Sequence, residues 1–570
     1  MPRRLIPSLA VLPCLLCAVP ALAQVAPSPG AVLRQLEPAP GSTLPLPQPG
    51  PDQGHDRPKA PTGPVMHVMG FSFEGNHLIA SGRLAGIVAG FANRDLAPDD
   101  LRQATDAVAR EYRRHGWLAR VIVPAQTVAG GMVRLQVIEG RVGKVEFSDD
   151  TPVDSLRVKP QRILDRVEDG LTPGEPVSVP ALTRGVLLAG DLSGVTVTGS
   201  EQAGEGEGVT DIVLQVQNEP PFTGDVSVDN YGQAGVGSER LVGHGDLNSP
   251  FGRGEQFDGI GIVTPDLQYA RGALALPLSA NGLKLNLDAA ALHYAVDAPE
   301  YRLLDPRGSS TLFDGALEYQ WIRATDHNLA AGIDLTRKSF DSTLRAIKAS
   351  DYHVYDATLY LTGNLYDGFL EGAVTTADIR FGHGWVQMHG SPNEYWDRIN
   401  ADTQGQFNVL RWRVDRTQQL PHDFSVYAGL SGQLSYQNLD PAEMFYPGGP
   451  FGVASSAVAA DGGSSGQLAD LELRWAGWRA FGTETTLKLR YDAAHVRIYA
   501  NDQWPAAPQP NSYSLQGVGV GAQTDAPWGM HLTVMAEHRV GGDAGAEVPD
   551  NGLTGARRDT RVWASLEKRF

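Results

Sequence analysis

Residues 467–475 read QLADLELRW, and within them Leu471, Leu473 and Trp475 alternate with Asp470, Glu472 and Arg474. Successive side chains of an extended chain point to opposite sides, so such a strand has one apolar and one ionic face. Leu410, Trp412 and Val414 stand against Arg411, Arg413 and Asp415 in the same way, as do Leu283, Leu285 and Leu287 against Lys284, Asn286 and Asp288. A soluble sandwich carries ionic faces through so long a unit only with a second buried layer. A sheet closed on itself in lipid needs none, because hydrocarbon meets the apolar face and the lumen meets the other.

About sixteen such segments can be counted in residues 220–570, each with room for the roughly 9 to 11 residues that cross the hydrocarbon. An even number returns both ends of the barrel to one side, the periplasm. The last segment puts Val562, Ala564, Leu566 and Phe570 on the outer face, interrupted by Lys568. A strand finishing on Phe570 can close the barrel against the first strand and remove the open edge. The expected fold is mostly β, with a C-terminal 16-stranded transmembrane antiparallel β-barrel at 220–570.

Ahead of it, residues 1–23 carry Arg3 and Arg4, an apolar run from Leu5 to Val19, and Ala21-Leu22-Ala23 before Gln24. These are the three parts of a secretory signal peptide. Cys14 and Cys17 both fall inside it, which leaves the mature chain without disulfide or thiolate ligand. Residues 24–64 hold 11 prolines and form an extended linker. Pro29 to Glu37 can make a short helix, and composition alone leaves open whether this stretch is more than a linker.

Residues 65–140 read as strand, helix, helix, strand, strand. Leu84, Ile87, Val88 and Phe91 share one helical face. Pro98, Asp99 and Asp100 open a second helix with apolar Leu101, Ala104, Val108 and Tyr112. Runs at Leu118–Val128 and Met132–Glu139 flank Gly130-Gly131, a hairpin signal. The order recurs in residues 141–219, with helical stretches at Val153–Asp169 and Ala181–Asp191 and strands at GKVEF, Val195–Gly199 and Asp211–Val216. Two small α+β domains, each βααββ, therefore stand in series before the barrel.

Several tracts resemble the two-partner secretion transporters, the TpsB family of haemolysin activator and filamentous haemagglutinin transporter type, relatives of the outer-membrane assembly factors. They are YRRHGWLARVIVPAQTVAGGMVRLQVIEG at Tyr112–Gly140, FEGN at Phe73–Asn76, DLSGVTVTG from Asp191 and TDIVLQV from Thr210, DNYG at Asp229–Gly232, and DLNSPFGRGEQ at Asp246–Gln256. The last two are similar to the family's first barrel hairpin. The resemblance implies two periplasmic POTRA domains, at 65–140 and 141–219, that bind an unfolded secreted partner polypeptide, with Tyr112, Gly116, Val121, Pro124 and Gln126 as substrate contacts. It implies type V, two-partner export through the barrel, a plug helix near 29–37, and a long loop folded into the lumen. The implied protein is an outer-membrane monomer in contact with lipid, and neither an enzyme nor a cofactor carrier.

The inward loop departs from the family pattern. A segment of the form Gly-Gly-Pro-x-Gly-Val-Arg stands here as Gly448, Gly449, Pro450, Phe451, Gly452, Val453, Ala454. Ala454 takes the arginine's place, while the family's partnering aspartate is matched by Asp492. Alternation sets Asp492 on the inner face with Lys488 and Arg490, cations able to compensate in part. The expectation is a loop anchored more loosely than in the family.

Other readings carry less. Gly462-Gly463-Ser464-Ser465-Gly466 spells G-x-S-x-G but lacks the strand before and helix after that a nucleophile elbow needs. No histidine pair has metal-ligand spacing and no phosphate loop occurs. His383 and His389 read as loop-adjacent surface residues, and Trp321, Trp385, Tyr395, Trp396, Trp475, Trp478 and Trp563 as girdle or packing residues. The net charge of −18 argues against a nucleic-acid partner. The competing functions are a barrel-assembly factor and a general diffusion pore with porin activity.

Overall fold

The computed structural model describes residues 28–37, 44–46, 65–128, 130–297, 301–458, 462–480, 482–505, 507–541 and 559–570. The signal peptide 1–23 and most of the proline-rich stretch lie outside them.

In the first small domain, the helix Pro98–Arg114 begins where the Asp100 carboxylate accepts a hydrogen bond from the Ala97 N–H at 2.9 Å. Arg113 and Arg114 occupy its last turn, where the helix dipole favours cations. Its buried face, Ala104, Val108 and Tyr112, packs with Leu84 and Val88 of the helix Ser81–Val88 on a three-stranded sheet. Met132–Glu139 is the central strand, parallel to Gly70–Glu74 and antiparallel to Ala119–Ile122. The expected hairpin arm reaching Val128 stops at Ile122. Beyond it the Gln126 side chain replaces the ladder, donating to Arg134 O and accepting from Arg134 N, each at 2.8 Å. A two-stranded ribbon, Met66–Val68 with Arg94–Leu96, was not foreseen, being too short for alternation to register.

The second domain repeats the plan, with Val209–Asn218 central between Arg141–Phe147 and Val195–Ala203. Its helices are Pro160–Glu168 and Val179–Gly190, and Val153–Ser155 is a single 3-10 turn instead of the start of a long helix. The two helices meet at Gly185. A Cβ there would lie 2.6 Å from Arg166 O and 2.8 Å from Val167 Cα, main-chain atoms that no rotamer change moves away. Gly185→Ala is expected to destabilise this domain by about 1–3 kcal/mol through overpacking, against a helix-propensity gain near 1 kcal/mol. In the intact protein, trypsin should then cut within 141–219 several-fold faster, and an unchanged cleavage rate would refute the close packing.

Sixteen strands, from Phe222–Asp229 to Thr560–Arg569, form one closed antiparallel barrel. Outward positions carry exposed apolar residues such as Phe313, Leu317, Ile379, Leu471, Leu489 and Val520, as a lipid-facing wall requires. Closure pairs Asp225–Asp229 with Ser565–Arg569, and Phe570 exchanges main-chain hydrogen bonds with Gly224. Above that short ladder the Asn230 side chain acts as a strand, donating to Val562 O and accepting from Ala564 N, both at 2.9 Å.

Two details differ from expectation. DNYG begins the first barrel connection, whereas DLNSPFGRGEQ spans the second, at the end facing the small domains; there Lys159 N donates to Gly252 O. His383 lies inside the strand Ala373–Gln387, bonded to Asn408, and not beside a loop.

Candidate functional site: a plugged lumen

The helix Pro29–Leu36 lies inside the barrel. Ser28 caps it by accepting from Ala31 N at 3.1 Å, and Pro29 supplies the preset φ of a first turn. Val32 and Leu33 pack against Leu292, Tyr294, Phe340, Tyr352 and Phe407 of the wall and against Leu439 and Ala442 of the segment after the strand Phe424–Leu434. A Cβ on Gly30 would fall 2.9–3.2 Å from atoms of Ala442, so only glycine lets the helix approach that closely. The lumen at this level is an apolar core, a departure from the uniformly polar interior that alternation implies. Inward Leu292, Tyr294, Phe340, Tyr352 and Phe407 are the seat of the helix.

The helix is also tied by charge. Arg34 pairs with Glu37 at 2.8 Å. Lys338 on the strand His327–Leu344 reaches Glu37 at 2.9 Å and Glu443 at 3.2 Å, and Arg411 holds Glu443 at 2.7 Å. Helix, wall and inward segment thus share one buried ionic cluster. Desolvated charges of this kind persist only when paired. Sequence reasoning missed Lys338, Arg411 and Glu443, since nothing local links residues 37, 338 and 443.

The inward segment leaves the strand Phe424–Leu434 and returns at Ser465–Ala480. Its tip is fully buried at Val453, Ala454, Ser455 and Ser456. Gly448 and Val453 form a bridge, Val453 N donates to Pro447 O at 2.7 Å, and Gly449 takes φ +93°, a glycine conformation. Arg490, on the strand Thr483–Arg497, does what an arginine at 454 would do from the other side. Its guanidinium donates to Pro450 O at 3.0 Å and Gly452 O at 2.8 Å while pairing with Asp492 at 2.6 Å and Asp470 at 2.9 Å. Around it, Ala454 N approaches Asp492 at 3.5 Å, Ser455 N donates to Glu537 at 2.8 Å, and Trp563 Nε1 donates to Ala454 O at 2.7 Å. Phe451 packs edge-on against Tyr231 of DNYG.

The loop is therefore firmly held, contrary to the looser anchoring expected from Ala454. Lys488 shares the inner face but joins none of these contacts. Trp563, read from sequence as girdle or packing, faces inward and binds the loop. Its position on the inner register, odd against Val562 and Ala564, was the signal available.

The residues proposed to contact substrate divide into two groups. Tyr112 is buried, its hydroxyl donating to Glu139 at 2.8 Å. Burial and that carboxylate push the hydroxyl far above its ordinary pKa. Gly116, at φ +79°, accepts from Val179 N at 2.9 Å and joins the two small domains. Val121 lies on the sheet's edge strand Ala119–Ile122, with Pro124 and Gln126 continuing that edge.

The chain matches two family profiles: the ShlB-type POTRA domain over residues 66–140, and the haemolysin secretion/activation protein ShlB/FhaC/HecB over residues 208–524. It is 22% identical over 507 residues to the heme/hemopexin transporter protein HuxB of Haemophilus influenzae strain 86-028NP, covering 87% of this chain and 85% of that protein. It is 23% identical over 489 residues to the outer membrane transporter CdiB of Dickeya dadantii, covering 82% and 81%. In fold it is similar to the solved CdiB from Escherichia coli, with TM-score 0.65, 18% identity and coverage of 95% and 96%.

Proposed function

Given that the chain belongs to the haemolysin secretion/activation protein family of ShlB, FhaC and HecB, we propose that it exports one secreted partner polypeptide from the periplasm through its barrel. The protein resides in the outer membrane with its POTRA domains in the periplasm. The observation that carries the export reading is the lumen itself, closed by two pieces of the same chain, a short helix and an inward loop, of which the helix hangs on a proline-rich tether. A passive pore has no use for a detachable plug or for two sheet domains ahead of it.

The partner enters at the first domain. The edge strand Ala119–Ile122, with Val121, Pro124 and Gln126 beside it, offers unpaired main-chain groups to an extended chain, so recognition by strand addition makes little demand on sequence. Tyr112 and Gly116 set the position of that edge. Gly448, Gly449, Pro450, Gly452, Val453 and Ala454, with Asp492 and Arg490, hold the loop, while Lys488 lines the lumen beside them. Phe570 closes the barrel, which acts as a monomer.

Deleting the gene should remove one large protein from the culture supernatant, leaving other outer-membrane barrels at their normal levels. The short ladder at the barrel seam favours a second reading, assembly of other barrels through lateral opening. An unchanged supernatant with depleted barrels would establish that reading and refute export.

A further inference from the structure

Leu44–Leu46 lies inside the barrel near the end facing the small domains, where two asparagines hold it. Asn364 Nδ2 donates to Pro45 O at 3.0 Å and to Leu44 O at 3.5 Å, and Asn328 Nδ2 donates to Pro45 O at 3.3 Å. Both side chains are almost completely buried. Among the described residues, the hydrogen bonds from the two asparagines to the linker all go to main-chain oxygen, so these amides read the peptide group, while the Leu44 side chain is buried beside them.

The donors are aimed by a relay from outside the barrel. Asp191, which caps the second domain's helix Val179–Gly190, holds Arg323 by two hydrogen bonds of 2.8 Å. Arg323 donates to Asn328 Oδ1 at 3.1 Å, joined there by Ala324 N at 3.3 Å. Those two donors fix which end of the Asn328 amide is oxygen. Asn328 Nδ2 then donates to Asn364 Oδ1 at 2.8 Å, which turns the Asn364 NH2 group toward the linker.

Next along the same inner faces, Gln320 and Thr362 both sit opposite Ala330. Both are buried, and among the described residues neither the Gln320 amide nor the Thr362 hydroxyl has a hydrogen-bond partner. Orphaned buried polar groups are costly. Two side by side on a wall that already grips the linker's main chain point to a ligand able to satisfy them.

We propose that Asn328, Asn364, Gln320 and Thr362 form a sequence-independent binding site for extended polypeptide main chain, occupied at rest by the chain's own Leu44–Pro45 and taken over by the exported polypeptide once the plug and its tether leave. The inference rests on the export reading and names where in the lumen the cargo is held. The linker is the stand-in for its ligand: a peptide in place, its carbonyls held by the asparagine amides. A relay that begins on Asp191 keeps the site formed when the linker has gone, because the wall and the second domain supply every group that orients it.

The test uses full-length protein in planar bilayers, with an unfolded glycine- and serine-rich polypeptide of about 60 residues on the POTRA side as probe. The variant pair is Asn328→Ala with Asn364→Ala, and Asn364→Asp serves as a volume-preserving control that turns a donor into an acceptor. Both should open spontaneously more often, having lost the tether contact, and both should hold the probe for blockades about tenfold shorter than wild type. Blockades of unchanged length, with opening raised, would reduce the asparagines to a tether anchor and overturn the proposal while leaving export intact. If open wild-type channels show no blockades at all, polypeptide does not enter the lumen, and the export reading falls together with the proposal.

Discussion

Arg490→Ala is expected to abolish export and to weaken the barrel, and adding Ala454→Arg to that variant is expected to restore much of both. Arg490 is the shared counter-charge of Asp470 and Asp492, and two carbonyls of the inward loop rest on it. Its removal leaves two buried carboxylates facing one another, with Glu537 close by on Ser455 N. Breaking a buried pair from one side costs about 3–5 kcal/mol, enough to free the loop tip from the wall.

The alanine at 454 lies against Asp492, its N–H within 3.5 Å of the carboxylate, so an arginine there can reach the same acids once Arg490 has vacated the space. Ala454→Arg in the presence of Arg490 should instead do harm, since the site at 454 is fully buried and would receive a second guanidinium. The four proteins form a double-mutant cycle with a large favourable coupling. Cargo in the supernatant and the temperature at which the barrel loses its folded mobility on a gel are the two readouts. Independent, additive losses would mean that wall and loop arginines are not interchangeable and that Arg490 has another task.

How much of this was legible in the sequence depended on the range of the signal. Alternation such as that of Asp470–Trp475 is local, and it led to the barrel and the facing of Asp492 and Arg490. Proline and acid at 98–100 likewise mark a helix start within a few residues. The seat of the helix Pro29–Leu36 was beyond reach, because its partners Lys338, Arg411 and Glu443 are placed by closure of the barrel and not by neighbours in the chain. The same holds for Trp563, whose loop partner lies 109 positions away. The expected weak anchoring of the loop failed because the arginine's absence at 454 was visible while the loop-ward aim of Arg490 was not. Short elements, such as Arg94–Leu96, fall below the length at which periodicity means anything.

Lys338→Met should leave the protein folded and export-competent but with a pore that opens far more often than the wild type. The lysine alone among the described residues touches both Glu37 of the helix and Glu443 of the inward segment. Without it each carboxylate retains its arginine, Arg34 for Glu37 and Arg411 for Glu443, so neither half loses all its charge balance. What is lost is the bond between helix and wall, and Glu37 and Glu443 are left as buried like charges.

If that change weakens the resting state by about 3 kcal/mol, the ratio of open to plugged channels rises by roughly two orders of magnitude. Besides the asparagine contacts to the tether at Leu44 and Pro45, what still holds the helix is the packing of Val32 and Leu33 and a hydrogen bond from Ser310 to Pro29 O. All of these are broken and remade without altering either fold. Open probability in planar bilayers and sensitivity of cells to a large antibiotic should therefore rise together, while Lys338→Arg keeps the channel quiet. A Lys338→Met channel as silent as wild type would show that apolar packing, not the ionic cluster, keeps the lumen shut.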